Sequence, residues 1–233
     1  MRRSRAEADI VALAMARYNR KDHLHQRAKK EGLRSRAAYK LDEMQQQFKL
    51  LSKGQRVADL GCWPGGWLEG AAKFVGPKGR VVGVDRAEVD PPIPLANVTA
   101  LVGDLEDADM AARLTAALGN AGRVESQGAG AREDEARLAD VVLSDAAPKL
   151  TGVRETDRAN EERLLEAIEA LLPKLLVPGG SFVIKILEGP EAQEIDRRIR
   201  KTFQTAKTVK LQSTRKGSTE KYLVARGYLG DAG

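Results

Sequence analysis

Three aspartates close short apolar runs, and a lysine interrupts a fourth. Asp85 ends Arg80-Val-Val-Gly-Val-Asp85, Asp104 follows Val98-Thr-Ala-Leu-Val102, and Asp145 ends Val141-Val-Leu-Ser-Asp145. Lys185 sits inside Ser181-Phe-Val-Ile-Lys-Ile-Leu187. Carboxylates at strand ends accept hydrogen bonds from the hydroxyl and amino groups of a ligand. A lysine in so apolar a run is costly unless it lies at the strand's rim, pairs with a carboxylate or loses its proton. Each outcome brings it near Asp145. A proton-poor lysine can serve as a general base; the competing reading is a structural ion pair with Asp145.

The segment Asp59-Leu-Gly-Cys-Trp-Pro-Gly-Gly-Trp67 adds a ligand-binding turn. Gly61, Gly65 and Gly66 are expected to leave backbone amides uncovered where a helix begins, so that a ligand can lie against bare backbone. Asp85 follows about 20 residues beyond the glycines, where an acid can grip ribose hydroxyls. A nucleoside-bearing cofactor is therefore expected. The loop departs from G-x-G-x-x-G, and Trp63 and Trp67 crowd it. Asp59 is an awkward neighbour for phosphates and a favourable one for an ammonium group. S-adenosylmethionine is thus preferred to NAD. Asp104 either accepts from the adenine amino group or caps the helix that follows.

The elements that must position these groups can be read from periodicity. Strands are expected at 56–60, 80–85, 98–102, 139–145 and 181–187, and helices at 66–75, 105–118, 157–176 and 190–203. Alternation of this kind implies right-handed crossovers and a mostly parallel sheet with helices on both faces. Two last strands, near 207–212 and 221–228, are too close for a crossover helix and should pair antiparallel. The outline is an α/β class I methyltransferase fold with a Rossmann-like, seven-stranded sheet. Ahead of it, Ser35 can cap a helix with Ala37, Leu41, Met44 and Phe48 on one stripe. On periodicity alone, Lys40 beside that stripe reads as a snorkelling surface lysine.

The chain has 233 residues and a net charge of +6. Residues 1–49 hold 13 Lys and Arg against 6 Asp and Glu, so the excess of positive charge lies at the amino-terminal end. Residues 1–32 are expected to form a basic, partly flexible arm that binds RNA through phosphates, unless it is a merely solvated terminus. The domain proper is expected at 33–233, with 119–138 a flexible, glycine-containing insertion. Cys62 is the only cysteine, which excludes an intramolecular disulfide and argues against a cysteine-based zinc site. The apolar stretch Ile10 to Ala16 is too short to span a bilayer. A soluble, cytoplasmic monomer that uses neither metal nor membrane is expected. His23 and His25 lie in the arm and have no assigned chemistry.

Several motifs together resemble the FtsJ/RrmJ family of RNA ribose 2′-O-methyltransferases, in order from about residue 34 to 228. They are Arg34-Ser-Arg-Ala-Ala-Tyr-Lys40-Leu-Asp-Glu, Asp59-Leu-Gly-x-x-Pro-Gly-Gly-Trp67, Ser144-Asp-x-Ala-Pro148, Pro178-Gly-Gly-Ser-Phe-Val-x-Lys185 and Ser218-x-Glu220. The resemblance implies a Lys–Asp–Lys–Glu catalytic tetrad falling on Lys40, Asp145, Lys185 and Glu220. It implies S-adenosylmethionine contacts at Gly65, Trp67, Asp85, Asp104 and Asp145. The implied substrate is large-subunit ribosomal RNA, free or in the ribosomal subunit. The alternatives are transfer RNA, a catalytically silent ribosome-assembly role, or a small-molecule acceptor; the intact tetrad and the basic arm weigh against the last two. Trp63 stands where this family usually has a small residue, and Lys149 follows Pro148 where its bacterial members usually have Asn.

Overall fold

Valine-rich runs with both faces covered make the centre of a seven-stranded sheet. The computed structural model describes residues 27–28, 30–119, 138–148, 151–186, 189–214 and 217–230. Its strands are β1 (Arg56–Leu60), β2 (Arg80–Asp85), β3 (Val98–Val102), β4 (Ala139–Ser144), β5 (Leu176–Ile186), β6 (Phe203–Val209) and β7 (Lys221–Tyr228). The helices are α1 (Ala37–Phe48), α2 (Gly66–Val75), α3 (Met110–Gly119), α4 (Arg154–Leu175) and α5 (Pro190–Thr202). Strand order is β3-β2-β1-β4-β5-β7-β6. The first five are parallel, and β7 runs antiparallel between β5 and β6. The expected mostly parallel sheet with a closing antiparallel hairpin is present.

Alternation along the strands divides the core in two. Val57, Val81, Val141, Leu143, Val183, Tyr222 and Val224 pack with Leu41 and Met44 of α1 and Trp67, Leu68 and Ala71 of α2. Ala58, Leu60, Val82, Val84, Val142, Phe182, Ile184 and Leu223 pack with α3, α4 and α5 through Leu114, Ile168 and Ile195. Because the side-chain period of a strand is two, Asp59 shares the α1/α2 face with Val57, and Lys185 shares it with Val183.

Register aligns the site. Leu60 pairs with both Val84 and Ser144, and Ser144 pairs with Ile184. The next residue of each strand path is therefore Gly61, Asp85, Asp145 or Lys185, in one row at the carboxyl edge. Across the antiparallel junction, Lys185 faces Tyr222.

Several element boundaries differ from those read in the sequence. Helix α3 begins at Met110 rather than 105, because Asp104 and Asp107 build two turns first. Asp104 Oδ1 accepts from the Glu106 amide at 3.1 Å, and Asp107 Oδ2 accepts from the Asp104 amide at 3.0 Å. Helix α4 starts at Arg154 rather than 157; the Asp157 carboxylate reaches back to the amides of Thr151 and Gly152 across its first turn. Strand β5 starts at Leu176 rather than 181, resuming its pairing with β4 after a register shift. Strand β6 occupies Phe203–Val209 rather than 207–212. It is an edge strand, and its polar residues carry little alternation; Phe203 sets it in place against Phe182 and Tyr228 at ring distances of 6.2 and 5.2 Å. The cap expected at Ser35 is not formed: the N-cap of α1 is Arg36, without a side-chain cap, and the Ser35 hydroxyl, one residue earlier, accepts from the Ala37 amide at 3.2 Å. Most of the basic arm, both histidines, the 120–137 part of the insertion, Lys149 and Leu187 lie outside the described residues.

Candidate active site

Helix α1, the ends of β4 and β5, and the start of β7 each bring one charged group to a single place. Lys40 comes from α1, Asp145 follows β4, Lys185 lies near the end of β5, and Glu220 immediately precedes β7. Lys40 Nζ is 2.7 Å from Glu220 Oε1 and 3.5 Å from Asp145 Oδ1. Lys185 Nζ is 3.2 Å from the same Asp145 Oδ1 and donates to the Asp145 carbonyl. All four residues of the expected tetrad are thus brought together. Of the three outcomes open to Lys185, it lies at the rim and is paired with a carboxylate. Lys40 is not a snorkelling surface lysine: it is 4% exposed. The stripe of α1 is wide enough to bury it, and Glu220 and Asp145 supply the counter-charge that a buried ammonium needs.

Tyr222 ties the four together and was missed in the sequence. Lys40 Nζ donates to its phenol oxygen at 2.7 Å, and the phenol donates to Asp145 Oδ1 at 2.6 Å, with Glu220 Oε1 at 3.1 Å. Burial first, then the Asp145 and Glu220 carboxylates, push the Tyr222 pKa far upward, so it remains a donor. The available signal was its spacing: two residues beyond Glu220 in a strand returns to the same face. Glu43 was also missed. Its carboxylate accepts from the Gln212 amide at 2.7 Å and from the Ser213 amide and hydroxyl at 3.0 and 2.8 Å. It lies three residues beyond Lys40 and so fastens the helix bearing that lysine to the segment leading to Glu220.

A cleft of about 440 Å³ opens beside this network, lined in part by Gly61, Trp63, Asp85, Asp104, Asp145 and Ala146. Asp85 Oδ2 accepts from the Trp63 amide at 3.0 Å and Oδ1 from the Ala87 amide at 2.9 Å. Each oxygen keeps acceptor capacity toward the cleft. Asp104 is engaged by Arg86, whose Nη2 lies 2.6 Å from its Oδ2. Burial opposes ionisation of Asp104, but the Glu106 amide and the Arg86 guanidinium together hold its carboxyl below the ordinary range. Asp104 does not cap the helix as its alternative reading expected: it accepts from the Glu106 amide in a turn that ends before Met110, and it lines the cleft.

Gly65 and Trp67 stand apart from the cleft lining. Gly65 has φ 101°, and a Cβ there would come 3.1 Å from side-chain atoms of Arg34, Val89 and Ile93. Trp67 is buried; its indole donates to the Ala37 carbonyl at 2.7 Å, and its ring lies 5.9 Å from that of Tyr222. One detail of the glycine turn is corrected. The amides of Gly61 and Gly65 are not open to a ligand: they donate to the carbonyls of Val84 at 2.8 Å and Cys62 at 2.6 Å. The turn closes on itself, and the amides without intrahelical partners are those of the first turn of α2.

Asp59 lies wholly buried beneath this turn, and neither carboxylate oxygen has a hydrogen-bond partner. Burial, then the Asp145 and Asp85 charges, raises its pKa well above the usual carboxylate value.

A parallel sheet with one antiparallel strand inserted next to the edge, carrying a glycine turn and acids on its carboxyl rim, defines a class I methyltransferase. Comparison with known proteins specifies the branch. The FtsJ-like methyltransferase family matches residues 33–228. The chain is 38% identical over 211 residues to ribosomal RNA large subunit methyltransferase E of Methanothermobacter thermautotrophicus, covering 91% of this chain and 92% of that protein. It is 39% identical over 213 residues to the protein of the same name from Acidithiobacillus ferrooxidans, covering 91% and 88%. A solved Plasmodium falciparum structure, described as a ribosomal RNA methyltransferase, superposes with a TM-score of 0.67 at 26% identity, covering 84% of this chain and 99% of that one. The chain belongs to the FtsJ-like methyltransferase family.

Proposed function

We propose that this methyltransferase moves the methyl group of S-adenosylmethionine to a ribose 2′-hydroxyl of large-subunit ribosomal RNA in the cytoplasm. The observation that carries the reading is the buried network of Lys40, Asp145, Lys185, Glu220 and Tyr222 opening beside the acid-lined cleft. The cleft residues fit the donor. Asp85 offers acceptor capacity for ribose hydroxyls and Asp104 for an adenine amino group. A cation bound above the turn would favour the ionised form of Asp59, which burial otherwise keeps protonated. When bound, S-adenosylmethionine supplies an electrophilic methyl on a sulfonium centre.

The remaining work falls to the chain's own side chains. A ribose hydroxyl is a weak nucleophile and must lose its proton as it attacks, so positioning and proton removal dominate. Lys185 takes that proton in its neutral form, or as an ammonium stabilises the developing alkoxide. Asp145 holds Lys185 in place. Lys40 and Glu220, an ion pair at 2.7 Å, orient the hydroxyl and balance the charge. The basic arm adds phosphate contacts, and one copy of the chain suffices for the chemistry.

The direct test is tritiated methyl transfer to naked ribosomal RNA, free subunits and assembled ribosomes, followed by mapping of the modified nucleotide. Ribose label in large-subunit RNA is the expected result. Label in a base would overturn the tetrad assignment, and label confined to another RNA would overturn the substrate.

A further inference from the structure

Trp63 is 59% exposed, more than any other large apolar side chain among the described residues. An isolated exposed apolar residue needs no explanation, but this one lines the cleft beside the reactive network. It is the only aromatic among the described residues of that lining, which also includes Val84, Leu105, Ala146 and Pro148. Its position is fixed by the turn. The Trp63 amide donates to Asp85 Oδ2 at 3.0 Å, and on either side of it the Cys62 and Gly65 amides are bonded to the Val84 and Cys62 carbonyls. The Trp63 backbone is therefore held against the acid assigned to the cofactor ribose, and its side chain lines the same cleft. Lys40, Lys185 and Glu220, which receive the acceptor, are not part of the cleft lining.

We infer that Trp63 is a nucleoside-stacking wall: its indole packs on the adenosine of the bound methyl donor, a contact beyond the hydrogen bonds of Asp85 and Asp104. The inference rests on the S-adenosylmethionine reading of the cleft. A planar purine offers a π-face that an exposed indole can cover, and the apolar groups of the cleft suit the same ring. A small residue here would leave the nucleoside more open to water, so this chain holds its donor more tightly than it would with alanine at 63. The gain expected from one base–aromatic stack is about tenfold in affinity.

The test uses the full chain and three ligands: S-adenosylmethionine, S-adenosylhomocysteine and adenosine. Calorimetry should show Trp63→Ala weakening all three by about tenfold, with Trp63→Phe retaining most of the affinity. The chain has two tryptophans, and Trp67 is buried, so fluorescence separates them. Adenosine should quench the wild-type emission and leave Trp63→Phe, which reports Trp67 alone, nearly unchanged. Wild-type binding of S-adenosylmethionine with undiminished affinity in Trp63→Ala would overturn the wall and leave the cofactor reading intact. Failure of the wild type to bind S-adenosylmethionine would overturn that reading and the wall with it. Unchanged donor affinity with weakened RNA binding in Trp63→Ala would assign the ring to the substrate and overturn the inference.

Discussion

Replacing Asp59 by Asn isolates the effect of an unpaired acid beneath the glycine turn. Asp59 is wholly buried without a hydrogen-bond partner, and burial followed by the Asp145 and Asp85 charges raises its pKa well above 3.8. Above the ordinary carboxylate range the unfolded chain has lost this proton while the folded chain still holds it. Folding then takes up a proton, and stability falls as pH rises until Asp59 ionises in the folded state as well. Within that window the slope is about 1.4 kcal/mol per pH unit. Asn is nearly isosteric with the protonated acid and does not titrate. Urea denaturation of both proteins at closely spaced pH values from 4 to 8 should show Asp59→Asn gaining stability over wild type by about 1.4 kcal/mol per unit, then levelling off. Titration of the other carboxylates is common to both proteins and largely cancels in the difference. Parallel stability curves would refute the reasoning. A saturating cationic donor favours ionised Asp59, so S-adenosylmethionine should narrow the gap at high pH.

Lys185→Ala should abolish methyl transfer with donor affinity changed less than about threefold, since Lys185 is absent from the cleft lining; retained turnover removes it as base and as alkoxide stabiliser. Tyr222→Phe deletes the hydroxyl between Lys40 and Asp145 and should destabilise the fold by about 1–3 kcal/mol in urea titration, with kcat lowered and KM for the donor little changed; an unchanged kcat would make Tyr222 structural only. Deleting residues 1–32 should weaken RNA binding and flatten its dependence on salt. An unaltered salt slope in filter binding would show that the arm makes no phosphate contacts.

The parts of this molecule that were legible in the sequence are those governed by local pattern. Runs such as Arg80-Val-Val-Gly-Val-Asp85 are buried on both faces and too short for helices, so β1, β2 and β4 stood out, as did the rim where their acids gather. Strand β6 did not: at the sheet edge Gln204, Thr205 and Lys207 face solvent with no alternation to read. The start of α3 was misplaced because Asp104 caps a turn before the helix rather than the helix itself. The glycine turn was half legible. Its glycines marked a sharp bend, but the partners of the Gly61 and Gly65 amides are carbonyls, one of them on a neighbouring strand, that no local pattern reveals.

Lys40 and Tyr222 show where local pattern ends. Periodicity placed Lys40 at the edge of a helix stripe, and only the antiparallel insertion of β7 beside β5 puts Glu220 and Tyr222 over it. That insertion sets Tyr222 opposite Lys185 in register, so three donors from three distant segments reach one oxygen, Asp145 Oδ1: Tyr222 at 2.6 Å, Lys185 at 3.2 Å and Lys40 at 3.5 Å. One carboxylate oxygen cannot satisfy three donors equally. The phenol, the shortest of the three, weakens the claim of either ammonium on Asp145 without adding charge. Lys185 is thereby kept in place by a carboxylate that does not hold it exclusively. The network is joined by a neutral residue that no charge pattern in the sequence would have picked out.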